Sequence, residues 1–214
     1  MRNRTQHVAI FGLFFTALLS LMLSAKATAD ALQAPQQVIQ SVSTSLQKKL
    51  QDKSFTKDFA QVTHFVDGVI AMHTDFDKIA PLVLGKHWKT ATMDEQQRFS
   101  REFQTLLVRT YSRAFIEYND WTMRFMPLEM SDGATKVVVK TQILQPGLQP
   151  VEVNYRMLLS NGEWKVYDIL IEGVSLVTNY RSTFNEEIQT LGSLSAVIDT
   201  LVKRNAEALA TKGS

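Results

Sequence analysis

His73-x-Asp75-x-Asp77 is the spacing in this chain that most invites a chemical reading. With His64 and Asp67 nearby it offers nitrogen and oxygen ligands to a metal ion. Convergence of His73, Asp75 and Asp77 would need a loop, because residues i and i+2 of a helix do not face each other. Solvated helix ends are the plainer reading, and no metal site is assigned. His87 beside Trp88 has the chemistry of a general base, but no nucleophile motif accompanies it: there is no G-x-S-x-G and no H-E-x-x-H. Gly85-Lys86 lacks the earlier glycine and the following hydroxyl of a phosphate-binding loop. The chain has no cysteine, which removes thiolate catalysis, cysteine–metal sites and disulfides. Asp168 lies within an apolar strand and is a candidate for a perturbed carboxylate; structural hydrogen bonding outweighs acid–base catalysis as its role. No catalytic residue and no cofactor are assigned, and an enzyme is not the expected reading.

Residues 1–29 are expected to address the chain rather than to fold. Arg2 and Arg4 precede an apolar run from Val8 to Leu23, and Ala25-Lys26-Ala27 and Ala27-Thr28-Ala29 offer small-residue cleavage sites. This is the pattern of a secretory signal peptide, and the run is short of the roughly 20 apolar residues of a membrane-spanning helix. No cysteine follows it for lipid attachment. Cleavage after Ala29 removes three of the 23 basic residues (Arg2, Arg4, Lys26) and none of the 21 acidic ones, leaving 20 against 21, a net charge of −1. The basicity of the chain therefore belongs to its leader, and nothing supports a nucleic-acid footprint, which needs a clustered basic surface. Residues 30–214 are then 214 − 29 = 185 in number, within the range of a single domain.

Apolar residues at helical spacing mark Pro35 to Leu50, Lys57 to Met72 and a shorter Asp75 to Leu84. Thr92-x-x-Glu95 is a capping box, and it opens a long helix carrying Phe99, Phe103, Leu106, Leu107, Ala114 and Phe115 inward. Strands follow at Trp121–Phe125, Val137–Ile143, Val151–Leu159 and Trp164–Val174, with turns at Asp132-Gly133, Pro146-Gly147 and Asn161-Gly162. Val151, Val153, Tyr155, Met157 and Leu159 alternate with Glu152, Asn154 and Arg156, as in an antiparallel sheet with one wet face. Ser175 to Thr190 and Leu194 to Ala208 read as helices. Helices, four strands, then helices predict an α+β fold with a segregated antiparallel sheet.

Two blocks go further. Leu82, Val83, Leu84, Gly85, Trp88, Lys89, Ala91 and Thr92, preceded by Ala80 and Pro81, read as A-x-x-L-G-x-x-W/Y-K/R-x-A-T. Asp168, Ile169, Gly173, Val174, Ser175 and Leu176 read as D-I/V-x-x-x-G-V-S-L/M. In this order they resemble the MlaC-type periplasmic phospholipid-binding proteins of the toluene-tolerance family, and the resemblance runs from about Val66 to about Leu201. It implies an NTF2-like curved antiparallel sheet of four strands, wrapped by N- and C-terminal helices around an apolar pocket for acyl chains.

Periodicity alone reads the apolar sheet face as a dry core. The resemblance implies instead that Val151, Val153, Tyr155, Ile169, Ile171 and Val174, with Leu84, Trp88, Tyr111 and Phe115 from the helices, line the pocket. It implies a monomeric periplasmic carrier, with phospholipid as ligand, that maintains outer-membrane lipid asymmetry. It also implies two partners: an inner-membrane ATP-driven complex with a lipid-binding ring, and an outer-membrane lipoprotein associated with a porin. Burying one methylene is worth about 0.8 kcal/mol, so roughly 30 tail methylenes give a gross apolar term of about 24 kcal/mol before opposing costs. Such a ligand leaves by direct contact rather than through water. Arg98, Arg101 and Arg156 are candidates for the docking face, and ordinary solvated charge is their other reading. An NTF2-like pocketed enzyme and a periplasmic chaperone or adaptor are the competing classes.

Overall fold

Thr92 and Glu95 form the reciprocal cap that their spacing predicts: Thr92 N donates to Glu95 Oε2 at 2.9 Å and Glu95 N to Thr92 Oγ1 at 3.2 Å. The computed structural model describes residues 32–117 and 120–210. The expected signal peptide lies outside the described residues. The helices are α1 (Ala34–Leu50), α2 (Phe59–Ala71), α3 (Phe76–Leu84), α4 (Met93–Glu117), α5 (Leu176–Leu191) and α6 (Leu194–Ala210). Short 3-10 turns at Phe55–Lys57 and Gly85–Lys89 precede α2 and follow α3. The strands are β1 (Thr122–Phe125), β2 (Lys136–Leu144), β3 (Val151–Ser160), β4 (Glu163–Ile171) and β5 (Val174–Ser175). They pair antiparallel in chain order, so the fold is α+β with one antiparallel sheet.

Among the described residues five strands stand where four were expected. Glu172 and Gly173 both take positive φ, 49° and 79°, and turn the chain back after Ile171. Val174 and Ser175 then pair with Ile171 and Leu170 as a short fifth strand instead of extending the fourth. The β3–β4 hairpin closes on Asn161-Gly162 with φ of 52° and 82°, the left-handed pair that a two-residue turn of this kind demands.

One irregularity sets which side chains face inward. Arg156 pairs with Asp168, but Met157 pairs with Val166, so Tyr167 is an extra residue in β4. Such a bulge shifts the alternation by one. Val166 and Ile169, three apart, both reach the same cavity. The free edge of β4 near Val166 is covered by the loop before α3: Val166 N donates to His73 O and Asp75 N to Val166 O, each at 2.8 Å.

Helix α1 is fastened beside β1 by glutamines. Gln36 Nε2 donates to Met126 O at 3.0 Å, Gln47 Nε2 to Trp121 O at 2.6 Å, and Gln33 Nε2 to Leu128 O. These donors satisfy carbonyls flanking the edge strand, which would otherwise be open to foreign pairing. Among the described residues the buried side chains form three clusters. Phe99, Phe103 and Phe184 centre one between α3, α4, α5 and α6; Phe99 and Phe184 meet edge-on with centroids 5.0 Å apart. Leu46, Val62, Val66 and Val108 join α1, α2 and α4. Ile39, Val139, Met157, Trp164 and Val166 join α1 to the sheet.

Candidate functional site

A cavity of about 310 Å³ takes its walls from all three clusters. Helix α1 supplies Ile39, Val42 and Leu46; α4 supplies Phe103, Leu107, Tyr111 and Phe115; the sheet supplies Val153, Tyr155, Ile169 and Ile171; and α5 supplies Leu176 and Val177. Among the described residues no Asp, Glu, Lys or Arg belongs to the lining, whose polar members include Ser43, His73, Thr74, Gln145 and the two phenols. The volume is at the lower end of the roughly 300–1,000 Å³ of small-molecule sites. Burial pushes the Tyr155 phenol up to about 12, while a hydrogen bond with Thr141 works the other way. Burial also raises Tyr111. Both phenols are therefore neutral at ordinary pH. Such walls hold a ligand by apolar contact, with a few hydroxyls to orient it.

The structure sorts the expected pocket residues. Val153, Tyr155, Ile169, Ile171, Tyr111 and Phe115 line the cavity. Leu84 is buried among the α3–α6 aromatics instead, and Trp88 packs on the outside of that cluster. Both belong to the packing of the helices and not to the cavity wall. Val151 and Val174 are 37% and 59% exposed. Each pairs with a lining residue, Val151 with Ile143 and Val174 with Ile171, so they share the cavity face but stand beyond its wall.

Sequence reasoning missed the contribution of α1, α2 (Val66, Ile70), the His73–Thr74 loop and the first turn of α5. The α1 stripe was visible as an amphipathic pattern, but periodicity does not distinguish a stripe facing a core from one facing a cavity. His73 was read as part of a solvated helix end and lies in the cavity wall. Asp75 caps α3, accepting from Lys78 N at 3.0 Å. His87 Nε2 is 3.1 Å from Asn185 Oδ1 and joins the turn after α3 to α5. Among the described residues no group of three or more His, Cys, Asp or Glu side chains is placed to hold a metal ion.

Of the candidate docking cations, Arg98 donates to Asp199 Oδ1 at 2.6 Å and Arg156 to Asp168 Oδ2 at 3.0 Å. Arg101 is exposed on α4. Asp168 is a structural acceptor, taking Ser175 Oγ at 2.7 Å and Val177 N at 3.1 Å as well. No helix among the described residues is long and apolar enough to cross a membrane.

The chain is similar to known proteins over most of its length. It is 29% identical over 128 residues to toluene tolerance protein ttg2D of Pseudomonas putida, covering 58% of this chain and 59% of that protein. It is 26% identical over 98 residues to the intermembrane phospholipid transport system binding protein MlaC of Haemophilus influenzae, covering 44% of this chain and 46% of that one. The matched stretches thus span only about half the length of these relatives. A phospholipid-binding protein from Ralstonia solanacearum, solved in complex with a phospholipid, superposes with a TM-score of 0.75 at 28% identity, covering 82% of this chain and 99% of that one. The family model of the MlaC protein matches residues 40–203, and the chain belongs to the MlaC family.

Proposed function

We propose that this protein binds phospholipid by its acyl chains in the cavity between α1, α4 and the sheet and carries it across the periplasm. The observation that carries this reading is a cavity whose lining, among the described residues, holds no carboxylate, ammonium or guanidinium. Apolar surface removed from water is worth about 25 cal/mol per Å², so such a cavity favours hydrocarbon over any polar substrate. The Ralstonia solanacearum protein, similar in fold and sequence, holds a phospholipid, and the Haemophilus influenzae relative is named for intermembrane phospholipid transport. Ser43 and His73 both belong to the lining, but among the described residues no hydrogen bond joins their side chains into a nucleophile–base pair, which favours a carrier over a catalyst.

The partners in this reading are an inner-membrane ATP-driven complex with a lipid-binding ring and an outer-membrane lipoprotein–porin complex, with the protein acting as a monomer between them. Residues 1–29 export it and are then removed. The large apolar term makes release into water slow, so lipid passes by contact. Loaded protein should keep its lipid when a dialysis membrane separates it from empty acceptor vesicles and lose it when mixed with the isolated lipid-binding ring. Rapid loss across the dialysis membrane would refute transfer by contact.

A further inference from the structure

Asp168 is 4% exposed, yet three donors from three pieces of chain converge on its carboxylate. Arg156 reaches it from β3, Ser175 from β5, and the Val177 N–H from the first turn of α5. The β4–β5 ladder ends at Leu170 and Ser175. Beyond that point the Asp168 side chain takes over, accepting from the backbone of the very turn that supplies Leu176 and Val177 to the cavity wall. The N-terminal end of α5 favours a negative charge there, and Ser175 is at once a donor to Asp168 and the acceptor that caps α5 through Thr178 N at 3.1 Å.

We propose that Asp168 is a latch: it fixes the α5 wall of the cavity against the sheet and so sets how firmly an acyl chain is retained. This rests on the lipid-binding reading above. The other contacts of Leu176 and Val177 with the cavity are apolar and carry little direction. The Asp168 bonds are directional and charge-assisted, and they fix the turn in one place. A carboxylate withdrawn from water does not tolerate loss of its partners, so the wall has one arrangement rather than a range. Arg156 keeps its side chain 42% exposed while bonded to the buried acid, which makes it the solvent-facing side of the latch.

The test uses a pyrene-labelled phosphatidylcholine loaded from vesicles and its release to excess empty acceptor vesicles. Melting temperatures of loaded and empty protein are measured in parallel. Asp168→Asn should release the probe about tenfold faster than wild type, equivalent to about 1.4 kcal/mol of retention, and the gap between loaded and empty melting temperatures should narrow. Adding Arg156→Gln to Asp168→Asn should recover part of the retention, because paired amides replace the ion pair and no guanidinium is left without its acid. A purely structural Asp168 would lower both melting temperatures equally and leave release unchanged; that result overturns the latch. Should Asp168→Asn fail to fold, Ser175→Ala removes one hydrogen bond to the same carboxylate, and wild-type release in that variant also overturns it. Failure of the wild type to take up any probe would instead refute the lipid-binding reading and the latch with it.

Discussion

Arg181 Nε donates to the Leu82 carbonyl at 2.7 Å across 99 positions of sequence. Leu82 belongs to the first of the two blocks that carry the family resemblance, and Arg181 follows closely on the second. The first block is therefore joined to α5 just beyond the second, a contact reinforced by His87 and Asn185. Leu84 and Trp88 of the first block stay out of the cavity, whereas Ile169 and Leu176 of the second line it.

Gly85 ends α3 with φ 54° and ψ −117°, a conformation that side chains resist. A Cβ there would meet Arg181 Cδ and Nε at 3.8 Å, an ordinary contact, so the cost is backbone strain rather than crowding. Gly85→Ala should destabilise the fold by about 1–3 kcal/mol, read as a lower urea midpoint with an unchanged slope. An unchanged midpoint would mean that the turn relaxes freely.

Ile169 and Val174 lie on the same face of the sheet but in different surroundings. Ile169→Glu would put a carboxylate against hydrocarbon without a partner, at several kcal/mol, and should abolish lipid loading. Val174→Glu leaves its carboxylate hydrated, because the position is 59% exposed, and should keep the wild-type unfolding free energy within the roughly 0.5 kcal/mol typical of surface changes. Wild-type lipid content in Ile169→Glu would show that this cavity is not the binding site.

The cavity phenols give a pH dependence of definite sign. Tyr155 holds its proton in the folded state up to about 12, against about 10 in an unfolded chain. Between these values the folded state binds more protons, so its stability falls as pH rises through that window and is fully present below it. Tyr155→Phe should flatten the decline in urea midpoint over this range. The same slope in the variant would assign the effect to Tyr111 and Tyr180, which burial also raises.

Local chemistry was legible in the sequence wherever it is local. The Thr92–Glu95 cap, the Asn161-Gly162 hairpin and the helical stripes need only neighbours in the chain. The fifth strand was not legible, because Glu172-Gly173 follows an apolar run that reads smoothly into Val174. The Tyr167 bulge was hidden as well: an extra residue in one strand shows only against its partner strand, and it decides which of Val166 to Ile171 face the cavity. The α1 wall was unreadable as a site for a different reason. Ile39 and Leu46 are core-like residues on a regular stripe, and only the spacing between helix and sheet turns that stripe into a cavity wall.

The most direct test of a lipid-filled cavity is mass spectrometry of the protein purified under native, detergent-free conditions. The account predicts a bound species whose mass, after collisional release and lipid extraction, is that of a phospholipid, and its loss in Ile169→Glu. Protein that emerges without lipid and takes none from phospholipid vesicles would contradict it.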